Sequence, residues 1–207
     1  MKTHITKVTA DWVDVKNECR NTINKEYSDK PATIEFKKKL LKSEHSPIGL
    51  IKIKWRWEGI KSWISVHFAR HWLGWDKWIS TQREDRTGID RNKMPQDTLV
   101  NYDGEANAQA CINVARYRLC HQAHPETRKY MEDYKMSVKK YEPELSDVMV
   151  PNCIYRLGCP EFKACGNING IHAFKKWIKD NNKKIDWFDI QNRYDLYNEY
   201  FYSVHKE

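Results

Sequence analysis

Hydrophobic and polar positions change period several times along the chain, and each change marks an element. Ile5 to Val8 predicts a short strand, followed by a helix from Asp11, whose carboxylate can cap it, to about Lys25. A second helix is expected over Ala32 to Leu41. From Ile51 to Trp57 the sequence IKIKWRW alternates apolar and basic residues, the period of a strand with one buried face, and Gly59 is expected to end it. Between Ile60 and about Trp72 the spacing turns helical, with Ile60, Trp63, Ile64 and Phe68 recurring at three and four. Residues 73 to 103 are polar and carry Gly74, Gly88 and Pro95, so they read as a long loop with short elements, and a loop of that length is more often functional than idle. Glu105 to His121 and Glu126 to Lys140 predict helices, Pro143 to Gly170 an irregular or partly extended stretch, and Ile171 to Asn181 and Trp187 to about Tyr202 two closing helices. No Ser/Gly linker, low-complexity run or internal repeat interrupts the 207 residues, so residues 1–207 read as one unit.

Composition narrows the class. With 40% apolar residues and a mean hydropathy of -0.85, the chain is that of a packed globule. No apolar run approaches the roughly 18 to 20 residues of a bilayer span. The start MKTHITKVTA has no apolar secretion segment, so a cytoplasmic location and reduced thiols are expected. A net charge of +8 favours an anionic partner: nucleic acid, an acidic membrane surface or a phosphorylated small molecule. Of the six cysteines, Cys153, Cys159 and Cys165 stand at a C-x5-C-x5-C spacing, wider than the knuckles of a structural zinc site, and no His follows at finger spacing. Buried free thiols and no metal are the expectation there.

Candidate chemistry concentrates in HFARHWLGWDKWISTQREDR, residues 67 to 86. His67, Arg70, His71 and Gly74 stand at spacings that share one helical face, and Ser80, Thr81, Gln82, Arg83 and Arg86 follow in the predicted loop. Such a set makes a phosphate pocket, because Arg gives bidentate charge-assisted bonds to phosphate oxygens. The same residues also suit a solvated basic helix end and a surface loop. His67 and His71 form H-x3-H, but Phe68 stands where a zinc protease needs its Glu, and Ser80 lacks the G-x-S-x-G elbow of a hydrolase.

The order of these segments resembles the flavin-dependent thymidylate synthases. Glu44-His45-Ser46-Pro47-Ile48, an alternating strand, a helix running into Arg70-His71-Trp72 and, after the right interval, Ser80 are similar to that family's His/Ser-Pro motif and its R-H-R-x7-S-x-R fingerprint. Ala115-Arg116 resembles the family's A-R helix, and the region of Arg156 its late arginine segment, so the resemblance spans about residues 44 to 165. Trp72 replaces the last residue of R-H-R, Gln82 stands where the final Arg is expected with Arg83 next to it, and Gly49 stands where many members have Glu. The late segment, residues 150 to 166, also differs from the usual form, so the chain reads as a divergent branch.

The resemblance implies a single α/β (α+β) domain, with a central mixed or antiparallel sheet flanked by long helices. It also implies reductive methylation of dUMP to dTMP with FAD, methylenetetrahydrofolate and NADPH, by a homotetramer whose subunits share active sites. Flavin supplies the difficult chemistry, so no protein nucleophile is required. By the motif match, His45, Ser46, Arg70, His71 and Trp72 would bind the flavin. His67, Ser80, Gln82, Arg83 and Arg116 would bind the nucleotide, and Arg156 would bind it on the base carbonyl, where a cation stabilises charge developing on the ring. Trp72, Trp75 and Trp78 offer surfaces for planar rings. Two rivals remain open: a related enzyme acting on another pyrimidine nucleotide such as dCMP, and a non-catalytic nucleic-acid-binding module using IKIKWRW as a basic aromatic platform.

Overall fold

The computed structural model describes residues 2–205. Along the chain the elements are β1 (Thr3–Thr9), α1 (Trp12–Asn21), α2 (Ile34–Ser43), a 3-10 turn (Ser46–Leu50), β2 (Lys52–Lys61), α3 (Ser62–Ala69), β3 (Trp75–Ile79), α4 (Glu84–Thr87) and a second 3-10 turn (Arg91–Lys93). They continue with β4 (Leu99–Asn107), α5 (Ala108–Arg118), α6 (Pro125–Lys139), α7 (Pro143–Val148), α8 (Asn152–Tyr155), α9 (Gly170–Asp180) and α10 (Ile190–Val204). The strands form one antiparallel sheet in the order β1-β2-β4-β3.

The alternation in β2 fixes which face of the sheet is dry. Ile53, Trp55, Trp57 and Ile60 are fully buried, and Trp75, Tyr102 and Ala106 join them from β3 and β4. Phe68 of α3 and Tyr134 of α6 pack onto this face, with the Trp55 and Tyr134 rings 4.7 Å apart and those of Trp57 and Phe68 4.7 Å apart. Burying such an aromatic ring removes ~150–250 Å² from water, or ~4–6 kcal/mol each as an upper bound. Two indoles keep their hydrogen bonds in the core: Trp75 Nε1 donates to the Tyr102 hydroxyl at 2.8 Å and Trp57 Nε1 to the Thr3 hydroxyl at 2.8 Å. Gly104, paired with Trp55 across the strands, is required by packing, since a Cβ there would lie 2.3 Å from the indole. The opposite face carries ion pairs, including the two-bonded Arg56 and Asp103 at 2.7 and 2.8 Å.

Several sequence expectations change. Trp55 and Trp57 of IKIKWRW point into the core, so they give no exposed stacking platform for nucleic acid. Gly59 does not end β2: at φ +62° it lies within a bulge, its N–H donates to Asn101 Oδ1 at 3.2 Å, and the strand resumes through Lys61. The helix expected from Ile60 therefore starts at Ser62, and it stops at Ala69, so His67, Arg70, His71 and Gly74 do not share one helical face. The expected loop at 73 to 103 contains β3 and the start of β4. β4 hides in the sequence because Gly104 and Ala106 occupy inward positions and carry little hydrophobic signal. The helix expected from Glu105 begins at Ala108, where the Asn107 side chain caps it by accepting from Ala110 N at 2.8 Å. The stretch from Pro143 to Gly170 contains α7 and α8 rather than extended chain.

Candidate functional site

After α3 the chain turns through Arg70 to Gly74 and enters β3, and this segment lies against α5. Together they form an open groove of about 160 Å³ lined by Arg70, His71, Trp72, Leu73, Ala110, Asn113 and Val114. The turn closes at Gly74, which has φ +67° and whose carbonyl accepts from Asn107 N at 3.0 Å. A Cβ on Gly74 would lie 2.4 Å from the Asn107 side chain, so only glycine brings the segment this close to the start of α5.

Arg118, from the end of α5, braces the segment from the other side. Its Nε donates to His71 Nε2 at 3.0 Å and its Nη2 to the His67 carbonyl at 2.6 Å. Lys77 Nζ donates to the His71 carbonyl at 2.7 Å. Burial, then the Arg118 guanidinium and Lys77, pull the His71 pKa down to about 4. His71 is therefore neutral at pH 7, its Nε2 an acceptor and its remaining proton on Nδ1. His67 is also held below the ordinary range, first by burial and then by Arg118, and its Nδ1 lies 2.8 Å from the Thr127 hydroxyl. Arg70 is exposed and has no ion-pair partner among the described residues. Trp72 and Leu73 are each 71% exposed at the rim.

A second face of α5 gathers the His/Ser-Pro segment. Arg116 forms an ion pair with Glu44 and donates to Asn113 Oδ1 at 3.1 Å, while Gln109 donates to the other Glu44 oxygen at 2.6 Å. The Arg116 guanidinium also lies 3.7 Å from the centre of the Tyr155 ring, and its buried Nε has no partner. His45 and Ser46 follow Glu44 and are exposed. Asn113 belongs both to this row and to the groove, which links the two.

Ser80, Gln82 and Arg83 lie elsewhere, beyond β3, which at ~3.3 Å per residue carries the chain ~17 Å from the groove. The Ser80 hydroxyl accepts from Asn101 N at 2.8 Å, and Arg83 pairs with Asp85 at 2.8 Å. Arg156 caps the end of α8 with its Nε donating to Asn152 Oδ1 at 2.9 Å; it is exposed and does not line the groove. Trp75 is buried in the core and Trp78 is exposed on the outer face, so of the three tryptophans Trp72 alone belongs to the groove.

Sequence reasoning missed Arg118, Asn113, Gln109 and the bracing role of Glu44. The one signal for Arg118 was its place in the last turn of a basic helix, two residues from Arg116. Residues two apart on a helix point ~200° apart, so the two arginines serve opposite faces.

The four-stranded antiparallel sheet and the helices around it superpose on the flavin-dependent thymidylate synthase fold, and the chain has that fold. The flavin-dependent thymidylate synthase of Helicobacter pylori complexed with FAD and dUMP superposes with a TM-score of 0.60 over 72% of this chain and 100% of its own, at 11% identity. A second structure of that enzyme with FAD and dUMP gives 0.59 over 72% and 99%, at 11% identity. The UMP/dUMP methylase PolB of Streptomyces cacaoi, bound with 5-Br dUMP, gives 0.57 over 71% of this chain and 93% of its own, at 14% identity. No protein-family profile matches the sequence, and no curated protein is similar to it in sequence.

Proposed function

We propose that the chain is a flavin-dependent methylating enzyme of pyrimidine nucleotides, with dUMP as substrate, methylenetetrahydrofolate as carbon source and NADPH as reductant. The observation that carries this reading is the groove in which Arg70, His71 and Trp72 meet α5, within a fold shared with two enzymes that were crystallised with a pyrimidine nucleotide.

The donor set suits FAD in part. Arg70 is a cation free to meet a phosphate, Trp72 a planar surface for a ring, and the Arg116 Nε–H a buried donor without a partner. A groove of about 160 Å³ lies below the ~300–1,000 Å³ of pockets that enclose a whole ligand, so one chain holds only a portion of the dinucleotide. Bound flavin would supply the reducing equivalents of the reaction. His71, neutral and held by Arg118, keeps its position without adding a charge that shifts with pH near neutrality. His45 and Ser46 extend the row beside Arg116, and His67 stands behind the groove on Thr127. Ser80, Gln82, Arg83 and Arg156 bind nucleotide in this reading; as the first three lie beyond β3, away from the groove of their own chain, the reading requires that one protomer's β3 end complete another's groove, and the homotetramer is what the family resemblance implies. Residues 1–207 then act as one domain.

Purified protein titrated with FAD should quench flavin fluorescence, with Arg70→Ala abolishing it. Turnover is then measured with dUMP, UMP and dCMP, each with methylenetetrahydrofolate and NADPH. Methylation of UMP or dCMP alone would move the substrate assignment to the rival nucleotide, for which the likeness to PolB gives the ribonucleotide particular weight. No flavin binding and no turnover would defeat the reading.

A further inference from the structure

Four of the six cysteines line one small cavity of about 20 Å³ beyond the C-terminal end of α5: Cys120, Cys153, Cys159 and Cys165. They come from three places in the chain, the end of α5, the middle of α8 and the irregular segment 156–169 that precedes α9. All four are free thiols. Cys153 and Cys165 flank one backbone point, since a Cβ on Gly170 would lie 3.5 Å from the first sulfur and 3.3 Å from the second.

Two backbone donors already point at sulfur. The Gln122 N–H donates to Cys120 Sγ at 3.5 Å, and the Ile171 N–H donates to the Cys153 sulfur. Such donors favour the thiolate and form the outer shell of thiolate-held metals. Burial by itself works the other way, pushing the Cys120 thiol up and the Cys153 thiol to about 11. Segment 156–169 contains no helix or strand and leaves Phe162 and Ile168 almost fully exposed. A hydrogen bond from Gln122 Nε2, in the turn after α5, to the Lys163 carbonyl at 2.7 Å ties it down, with little apolar burial to set against the ordering of fourteen residues.

We propose that Cys120, Cys153, Cys159 and Cys165 form a tetrathiolate site for one structural zinc ion that fastens segment 156–169 to the end of α5 and the start of α9. Thiolate sets select zinc or iron–sulfur clusters, and a cavity with room for about one water-sized sphere fits a single ion rather than a cluster. As the side chains stand, no group of three or more His, Cys, Asp or Glu side chains among the described residues converges at coordination distance. Binding therefore draws the thiols inward by rotation about χ1, with Cys159, the exposed member, moving furthest. The step balances without redox chemistry: Zn²⁺ replaces four thiol protons, forms four Zn–S bonds and leaves a site of net charge −2. The spacing C-x5-C-x5-C carries little weight in sequence; Cys120, supplied from a distant element, is what makes the set a site.

The test is elemental analysis of full-length protein purified under reducing conditions without chelator. About one zinc per chain is expected for wild type and for Cys19→Ser, whose thiol lies on α1, and about tenfold less for Cys120→Ser and Cys165→Ser. Because a variant can lose zinc by misfolding, wild-type protein is also stripped and reloaded with Co²⁺, which should give the visible absorption of a tetrahedral tetrathiolate and lose it in the folded Cys159→Ser protein. Absence of zinc together with failure to take up cobalt, stoichiometric iron in place of zinc, or an unchanged cobalt spectrum in Cys159→Ser would each overturn the proposal.

Discussion

The stretch from Arg70 to Met94 is held in two opposite ways. Its first part, Arg70 to Gly74, is fixed by distant elements: Arg118 on His71 and His67, Lys77 on the His71 carbonyl, and Asn107 against Gly74. Its second part, beyond the Ser80 bonds to Asn101, is held by its own neighbours. Arg83 pairs with Asp85, Thr87 with the Arg83 carbonyl, and Asp90 with Asn92 and Lys93, while α4 buries none of its residues. The first part has its geometry in the single chain, whereas the second leaves its polar groups on the surface for something else to use. Contacts between elements create a site within one protomer; contacts inside a loop keep only the loop's shape.

The strongest way to break this contrast is Gly74→Ala. The left-handed backbone costs ~1–2 kcal/mol and the clash with Asn107 ~1–3 kcal/mol more, so urea denaturation should show a loss of ~2–5 kcal/mol. Gly88→Ala, at φ +69° with open space around it, should pay only the first part.

Arg118→Ala comes next, at ~1.5–3 kcal/mol, the usual size of a hydrogen bond to a charged group. By NMR titration the His71 pKa should rise toward its ordinary value, because one of the groups holding it down is gone. Arg116→Ala, on the other face, should leave that titration where it is.

Acidification gives a smaller effect. The folded His71 pKa of about 4 lies below the ordinary 6.5, so between these values the unfolded chain binds the extra proton and stability falls as pH drops. Discounted for solvent screening, the His71 share of the loss is ~1–2 kcal/mol between pH 6.5 and 4, and His71→Gln, which keeps an acceptor for Arg118 without titrating, should lose less by that amount, with the His67 share remaining.

Arg83→Ala should be smallest in stability, within ~0.5 kcal/mol, since its pair with Asp85 is exposed and local. If the exposed segment completes another protomer's groove, the same variant weakens dUMP binding by isothermal titration while leaving FAD binding unchanged. A stability loss as large as that of Arg118→Ala would erase the distinction between the two segments.

Much of this was legible in the sequence, for physical reasons that also mark the limit. The alternation of β2 records which side chains leave water, so it named the buried face before any fold was known. The cap of α1, Asp11, was legible, whereas α5 starts at Ala108, three residues later than periodicity placed it, behind an Asn107 cap that the sequence reading did not single out. The Arg70-His71-Trp72 segment was visible as a motif, and the structure puts all three in one groove. β4 was illegible, because its inward Gly104 is chosen to make room for Trp55 and its purpose exists only across the strand pair.

What tertiary structure alone decided was convergence. Arg116 and Arg118 look equivalent in a row of letters, yet helical rotation sends one to Glu44 and the other to His71. Cys120 joins three cysteines more than thirty residues away only because the end of α5, α8 and the approach to α9 meet at one cavity. Period and capping are local properties of the chain and can be read from it, while the meeting of side chains from separate elements depends on the sheet order β1-β2-β4-β3 and on how the helices pack against it.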